Sequence, residues 1–406
     1  MNARPPLGIT MAAVTALICF GILTLWVPER WALSAYQAGV FGVGLFWAVG
    51  MAVRPFPLRW RYALIFLAGP AVCGLIQLAT GHTVYRAETW NWVLNWSVNW
   101  LLFCLALQFA NNAELGRRFL NAIMYFGFAL SVISTLQMYT SDGKIFWIFP
   151  SGYTDFSLGP FVNRNLYSVF IEMVLPLVLY RAIKNPPRAF VYWLMSSVMV
   201  ASVVAAASRA GLGLVTAEIA VIIVLAWWRG YDRSTIARGV AQFAVLAAIF
   251  IAVVGPEVVW QRFRDADPFA GRREMVDSSI RMAREKPWTG FGLGTWPTVY
   301  PAYALYDDGT FVNEAHNDWL QWAVEGGLPL PAMMLIFTVL IIRPAWRSIW
   351  GLGLIAVLVH CLVDYPMQRP QLAGFWFALC GVLVGLAQAR HRIGATGAAS
   401  VGRKRT

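Results

Sequence analysis

The sequence is short of charge. Only 13% of its 406 residues are Asp, Glu, Lys or Arg, where a soluble domain carries roughly 25%. With 59% hydrophobic residues it cannot dress a set of soluble domains in a hydrated surface, and the length reads as one polytopic membrane domain. Acidic residues are the scarcer sign, 20 against 32 Lys and Arg, for a formal charge of +12. The basic residues fall in short clusters between apolar runs, the pattern of membrane loops, so no nucleic-acid partner is expected. Cysteine is sparse too. Cys19, Cys73, Cys104, Cys361 and Cys380 all lie inside apolar runs, which reads as buried thiols and excludes a disulfide framework. No His/Cys cluster has metal-ligand spacing, so neither a metal nor another cofactor is expected. The first apolar run has no small-residue cleavage site behind it and ends in Val27-Pro28-Glu29-Arg30, which marks a retained span. There is no long internal repeat.

What is present is a succession of apolar runs near 7–27, 34–53, 62–80, 91–110, 119–138, 165–183, 190–207, 211–228, 239–260, 318–342, 349–364 and 371–389. Runs of about 17–25 residues span a bilayer, so the expected fold is all-α and polytopic, with about twelve transmembrane helices. Residues 1–392 form a single membrane domain, and the Gly/Ala/Ser-rich basic tail, 393–406, is expected to be disordered. Alternate connections collect the positive charge: Arg54, Arg59 and Arg61; Arg117 and Arg118; Arg181, Lys184 and Arg188; Arg229, Arg233 and Arg238; Arg343 and Arg347. Those connections and both termini are therefore cytoplasmic. The long loop between spans nine and ten, about 261–316, faces the other side.

The unusual polar residues gather on that side. His316 stands in Asn313-Glu314-Ala315-His316-Asn317-Asp318, at the mouth of a span. An imidazole can take a proton from a hydroxyl near neutral pH; the plainer reading makes Asn313 or Asn317 a helix cap and His316 an exposed side chain. Arg164 and Arg209 sit at tight junctions between spans, where a guanidinium suits phosphate oxygens. Arg272 opens a loop helix expected over Arg272–Lys286, with Asp277 and Arg281 as an i,i+4 pair and Pro287 as its stop. Three arginines and a histidine on one face fit a lipid-linked pyrophosphate donor and a general base. Lys144, Arg30 and Arg369 read as solvated or snorkelling charges. His360, one turn inside the membrane below Asp364, reads as structural. Gly290-Phe291-Gly292-Leu293-Gly294 reads as a flexible turn, because no strand precedes it as a dinucleotide loop requires. Trp92, Trp96 and Trp100 form a packing or interfacial stripe, and Lys144 to Pro150 is too short to span.

Five segments together resemble the O-antigen ligase/polymerase family of bacterial envelope proteins. They are Gly159-Pro160-Phe161-Val162-Asn163-Arg164-Asn165, Ala207-Ser208-Arg209-Ala210-Gly211, Gly271-Arg272 with Gly290 to Trp296, Glu314 to Gln321 with Glu325-Gly326-Gly327, and His360 with Asp364-Tyr365-Pro366. Val276 stands where the family often has Trp. The resemblance implies a GT-C-type, metal-independent, inverting glycosyltransferase at the periplasmic face of the inner membrane. Its donor would be O-antigen on undecaprenyl diphosphate and its acceptor lipid A–core, with His316 catalytic and Arg209, Arg272 and Arg164 on the pyrophosphate. Asn163, Asn165, Asn317, Glu325 and Asp364 would support them. The late position of the long loop favours a ligase over a polymerase. A lipid-linked-sugar transporter is the rival of another class, but no two-half symmetry of broken helices supports it.

The orientation is directly testable. Cysteines introduced at 270 and 305 should react with an impermeant thiol reagent in intact spheroplasts. Reaction only after lysis would reverse the topology.

Overall fold

The computed structural model describes residues 6–53, 55, 57–152, 157–255, 270–305, 309 and 311–402. Inside a bilayer every backbone N–H and C=O must find a partner within the protein, which helices achieve segment by segment. Nine helices come first: α1 Leu7–Leu23, α2 Arg30–Val53, α3 Tyr62–Thr80, α4 Arg86–Ala110, α5 Ala113–Thr140, α6 Arg164–Lys184, α7 Ala189–Ala206, α8 Arg209–Trp228 and α9 Arg233–Val254. A hairpin of Lys144–Ile145 (β1) with Phe149–Pro150 (β2) interrupts them after α5. The inserted region holds α10 Ala270–Glu285, α11 Trp296–Val299 and α12 Asp318–Gly326, and α13 Pro329–Ser348, α14 Leu352–His360 and α15 Pro370–Gly402 follow. Among the described residues ten helices are long and apolar enough to cross a membrane: α2 to α9, α13 and α15. The chain is thus a polytopic helical membrane protein.

Two expected spans differ in length. The run at 318–342 is broken, because α12 stops at Gly326 and Gly327 takes φ +66°. Pro329 then starts α13. A left-handed glycine ends a helix, and a proline in the first turn loses no hydrogen bond. The run at 349–364 yields only the 9 residues of α14, about 14 Å of helix against a hydrocarbon core of about 30 Å. At the end of the chain α15 is helical through Gly402, into the stretch read as a tail. Arg54, 256–269 and the basic residues at 403–405 lie outside the described residues.

At the centre of the bundle most of α4 and nearly all of the 370–389 stretch of α15 are buried. Trp96 packs on Phe377 (5.9 Å between ring centroids) and Trp322 (6.1 Å), while Trp100 donates from Nε1 to Leu64 O (2.9 Å). These two rings of the stripe are packing residues. The inserted region has a small core of its own, built around Met282, Phe291, Trp296 and Val324. Arg281 does not serve the expected pair with Asp277; it donates to Ser278 Oγ (2.9 Å). The glycine segment is no flexible turn either. Phe291 N donates to Val324 O and Gly292 N to Glu325 O, both 3.0 Å, and Gln77 Nε2 donates to Thr289 O (2.7 Å) and Glu325 O (2.8 Å).

Gly294 shows why glycine is needed there. Its φ is +74°, and a Cβ would stand 1.9 Å from Cδ1 of Trp92. Gly294→Ala should cost about 1–3 kcal/mol, read as a lower thermal midpoint in detergent. Gly8→Ala, where a Cβ meets nothing within 4 Å, should cause no such fall. An unchanged midpoint for Gly294→Ala would mean that the loop is not clamped on Trp92.

Candidate functional site

Arginine stands at the start of three helices that meet at one place. Arg164 opens α6, Arg209 opens α8, and Arg272 is in the first turn of α10. Asn163 caps α6, its Oδ1 accepting from Asn165 N (2.8 Å). Ser208 caps α8, its Oγ accepting from Gly211 N (3.1 Å). Such caps satisfy backbone donors that have no helical acceptor. The Ser208 hydroxyl also donates to Asn165 Oδ1 (2.8 Å), which clasps the two helix starts together. The positive ends of two helix dipoles therefore lie side by side.

Asp364 joins this clasp to the histidine. Asn165 Nδ2 donates to Asp364 Oδ2, and Arg272 Nη2 lies 3.3 Å from the same oxygen. His316 Nδ1 lies 3.6 Å from Oδ1, an ion-pair distance longer than a hydrogen bond. Tyr365 N donates to Oδ1 (3.0 Å). The carboxylate is wholly buried. Burial works to raise its pKa, but His316 and Arg272 outweigh burial and hold it below the usual carboxylate value. Tyr365 packs edge-on to the His316 ring at 4.7 Å and accepts from Asn163 Nδ2 at its hydroxyl (2.9 Å). His316 has φ +51°, uncommon for a residue with a side chain. Its Nε2 makes no hydrogen bond among the described residues, and its side chain is 26% exposed.

The helix-start reading of this segment applies to Asn317, whose Oδ1 accepts from Leu320 N (3.0 Å) as the cap of α12. Asp318, not anticipated, is fully buried and accepts from Met367 N and Gln368 Nε2, both 2.9 Å. It pins the turn that carries Asp364 against the segment that carries His316. Glu325 makes no contact with that cluster. It accepts from Gly294 N (2.9 Å) and Gln321 Nε2 (3.0 Å), so its part is to hold the glycine segment. Gln321 Nε2 also donates to Glu314 Oε2 (3.1 Å). His360, read from the sequence as structural, shares a hydrogen between Nδ1 and Glu172 Oε1 (2.8 Å) with both side chains fully buried.

A cavity of about 2360 Å³ runs along the arginine side, lined by Arg164, Arg209, Arg272, Asn165 and Tyr365 among others. His316 and Asp364 are not themselves in its lining; Tyr365 and Arg272, which touch them, form the wall. Arg30 and Arg369, read from the sequence as solvated charges, both line the cavity. Arg369 is half-buried over the Tyr365 ring (5.2 Å) and lies 3.8 Å from Glu314 Oε1. A lone arginine in a short turn gives no signal of such partners, which come from other segments. Among the described residues no group of three or more His, Cys, Asp or Glu is arranged to hold a metal. The one Asp-x-Asp of the sequence, Asp265-Ala266-Asp267, lies outside them.

These features define a multi-pass membrane protein with a cationic cavity at the helix starts of one end. Residues 194–335 match the family model described as O-Antigen ligase. That match supports membership of the O-antigen ligase/polymerase family. The matched stretch includes Arg209, Arg272, His316 and Glu325. Asn163, Arg164, Asn165 and Asp364 lie outside it and reach the same place through the fold. No curated protein matches the chain.

Burial pushes Glu314 up to about 7 and Glu325 up to about 8. Both hold protons in the folded protein that the unfolded chain, with carboxyls near 4.5, gives up. The stability tied to them is complete below that value and is lost as pH rises through 7 and 8. The thermal midpoint should fall between about pH 6 and about pH 9, and Glu314→Gln with Glu325→Gln should flatten the slope. A midpoint that climbs over this range would contradict the protonated pair.

Proposed function

We propose that the protein is a GT-C-type glycosyltransferase acting as an O-antigen ligase. It transfers O-antigen polysaccharide from undecaprenyl diphosphate to a sugar hydroxyl of lipid A–core, without a metal and with inversion. Its place is the inner membrane, with the site facing the periplasm and both termini cytoplasmic. The observation that carries this reading is the convergence of Arg164, Arg209 and Arg272, each at a helix start, on one cavity, with the Asp364–His316 pair directly behind its Tyr365 and Arg272 wall. Guanidinium forks and helix N-termini both favour phosphate oxygens. Beside them the cavity takes exposed apolar side chains from the turn after α14, Leu362 and Val363, which suit a polyprenyl chain.

In this reading the acceptor hydroxyl oxygen attacks the anomeric carbon of the donor. Its proton passes to Nε2 of His316. The bond between that carbon and the diphosphate oxygen breaks, and the electron pair leaves with the diphosphate, whose charge the arginines stabilise. Asp364 orients the imidazole from its Nδ1 side and supports the imidazolium that forms, the part a buried carboxylate plays behind a catalytic histidine. Membrane lipids are the remaining partners.

A positioned base contributes about 10²–10⁴-fold in rate, so His316→Ala should lower in vitro transfer by at least about a hundredfold while donor binding persists. Arg209→Ala and Arg272→Ala should weaken the donor, and Arg→Lys should not restore it, because the ammonium lacks the fork. EDTA should have no effect; loss of activity with EDTA and rescue by a divalent ion would replace this mechanism with a metal one. Retention of more than about a tenth of the rate by His316→Ala would remove it from the base role. In cells a deletion should leave lipid-linked polymer and lipopolysaccharide without O-antigen, whereas single-repeat lipopolysaccharide would make the protein a polymerase.

A further inference from the structure

The cavity, about 2360 Å³, exceeds the roughly 300–1,000 Å³ of a site for one small ligand, and the three arginines account for only part of its lining. Another part comes from the α1–α2 connection and the first turns of α4. There Arg30 Nη2 donates to Asn91 Oδ1, and Asn91 Nδ2 donates to Glu88 Oε2 (3.1 Å). The three side chains are fixed to one another and all line the cavity. Glu88 lies close enough to Glu314 to oppose the ionisation of Glu314. Glu314 has its own cation, Arg369, at 3.8 Å. Gln368 lines the same cavity at 3% exposure. Its Nε2 is committed to Asp318 Oδ1 (2.9 Å), and its Oε1 has no partner among the described residues. A buried acceptor left bare costs free energy until a donor meets it.

This wall suits neither a diphosphate, which Glu88 would repel, nor a hydrocarbon tail, which offers these polar groups nothing. It supplies donors (Arg30, Asn91, Arg369) and acceptors (Glu88, Glu314, Gln368) together, and Trp26, tilted against Phe149 with ring centroids 4.8 Å apart, also lines the cavity. A neutral ligand with many hydroxyls and flat apolar C–H faces matches both. We propose that Glu88, Asn91, Arg30, Glu314 and Arg369 form a saccharide-binding wall that holds the acceptor glycan. The proposal rests on the transferase reading above. It assigns the acceptor because the wall includes Glu314, two residues from the proposed base, and because the arginines hold the donor by its diphosphate.

The test is binding, separate from transfer. The purified full chain in nanodiscs is titrated with delipidated core oligosaccharide and, separately, with free repeat-unit oligosaccharide. Glu88→Gln, Asn91→Ala and Glu314→Gln should each weaken the core oligosaccharide roughly tenfold, the loss expected for one hydrogen bond to a charged group. The same variants should still bind undecaprenyl diphosphate, which shows that they are folded, and Arg209→Ala should keep its hold on the oligosaccharide. Loss confined to the repeat-unit oligosaccharide would support a saccharide wall but give it to the donor glycan. Wild-type affinity for both oligosaccharides in all three variants would overturn the proposal. A wild-type protein that binds core oligosaccharide and transfers nothing sinks the transferase reading alone. One that transfers normally, with an unchanged acceptor KM in the wall variants, sinks the wall alone.

Discussion

A buried carboxylate with no cation beside it is too costly to keep, and Asp364 is fully buried. Everything at this end of the molecule is arranged around that constraint. Asn165, Arg272, His316 and the Tyr365 amide share its two oxygens. They come from α6, from α10, from the segment before α12 and from the turn after α14. One carboxylate therefore fixes the relative positions of four stretches that lie far apart in the chain. Removing it would leave Arg272 and His316 without their common partner, so both the phosphate-binding and the proton-accepting functions proposed here depend on it.

The short helix α14 explains how such a residue reaches this depth. A full span would carry the chain through the bilayer and leave the next turn in water. With 9 residues the helix stops early, and its end is held from below by the His360–Glu172 hydrogen bond (2.8 Å). Asp364 N then donates to His360 O (3.0 Å), so the turn begins as a continuation of the helix and places its carboxylate among the starts of α6 and α10. His360 is absent from the cavity lining, and its bond to Glu172 sets the height of the turn that carries Asp364. The two histidines thus differ by position, since the imidazole itself is the same.

Much of this was legible from residue type and spacing. Apolar run length locates the spans, and Arg164, Arg209 and Arg272 stand out because arginine on the outward side runs against the charge bias. The two spans misjudged in length were those where a local rule competes with hydropathy. Gly327 and Pro329 break one, and a buried polar turn shortens the other. The partners of Arg369, and of Arg30 on the cavity wall, were illegible because each pair is made across the fold: 55 positions separate Glu314 from Arg369, and Asn91 meets Arg30 at a separation of 61. Periodicity reports which way a helix faces and says nothing of which distant segment it will meet.

The glycine segment carries this argument one step further. Spacing alone presents Gly290, Gly292 and Gly294 as a flexible turn, yet each has positive φ and each is pressed against a neighbour, so that a Cβ would meet the backbone of Glu325, the side chain of Thr83 or the Trp92 ring. Glycine here serves close approach, and the consequence is rigidity. Glu325 completes the fastening by accepting from Gly294 N. The fastening binds the inserted region to α3 through Gln77 and to α4 through Trp92, on the membrane domain. Trp92 also lines the cavity, next to Asn91. The segment is thus the hinge-free joint that keeps Arg272, borne on the inserted region, in register with Arg164 and Arg209, borne on the spans. The pyrophosphate clamp proposed here, built from two separately supported parts, would require such a joint, because a shift of a single ångström would open the fork of one arginine away from the oxygens held by the others.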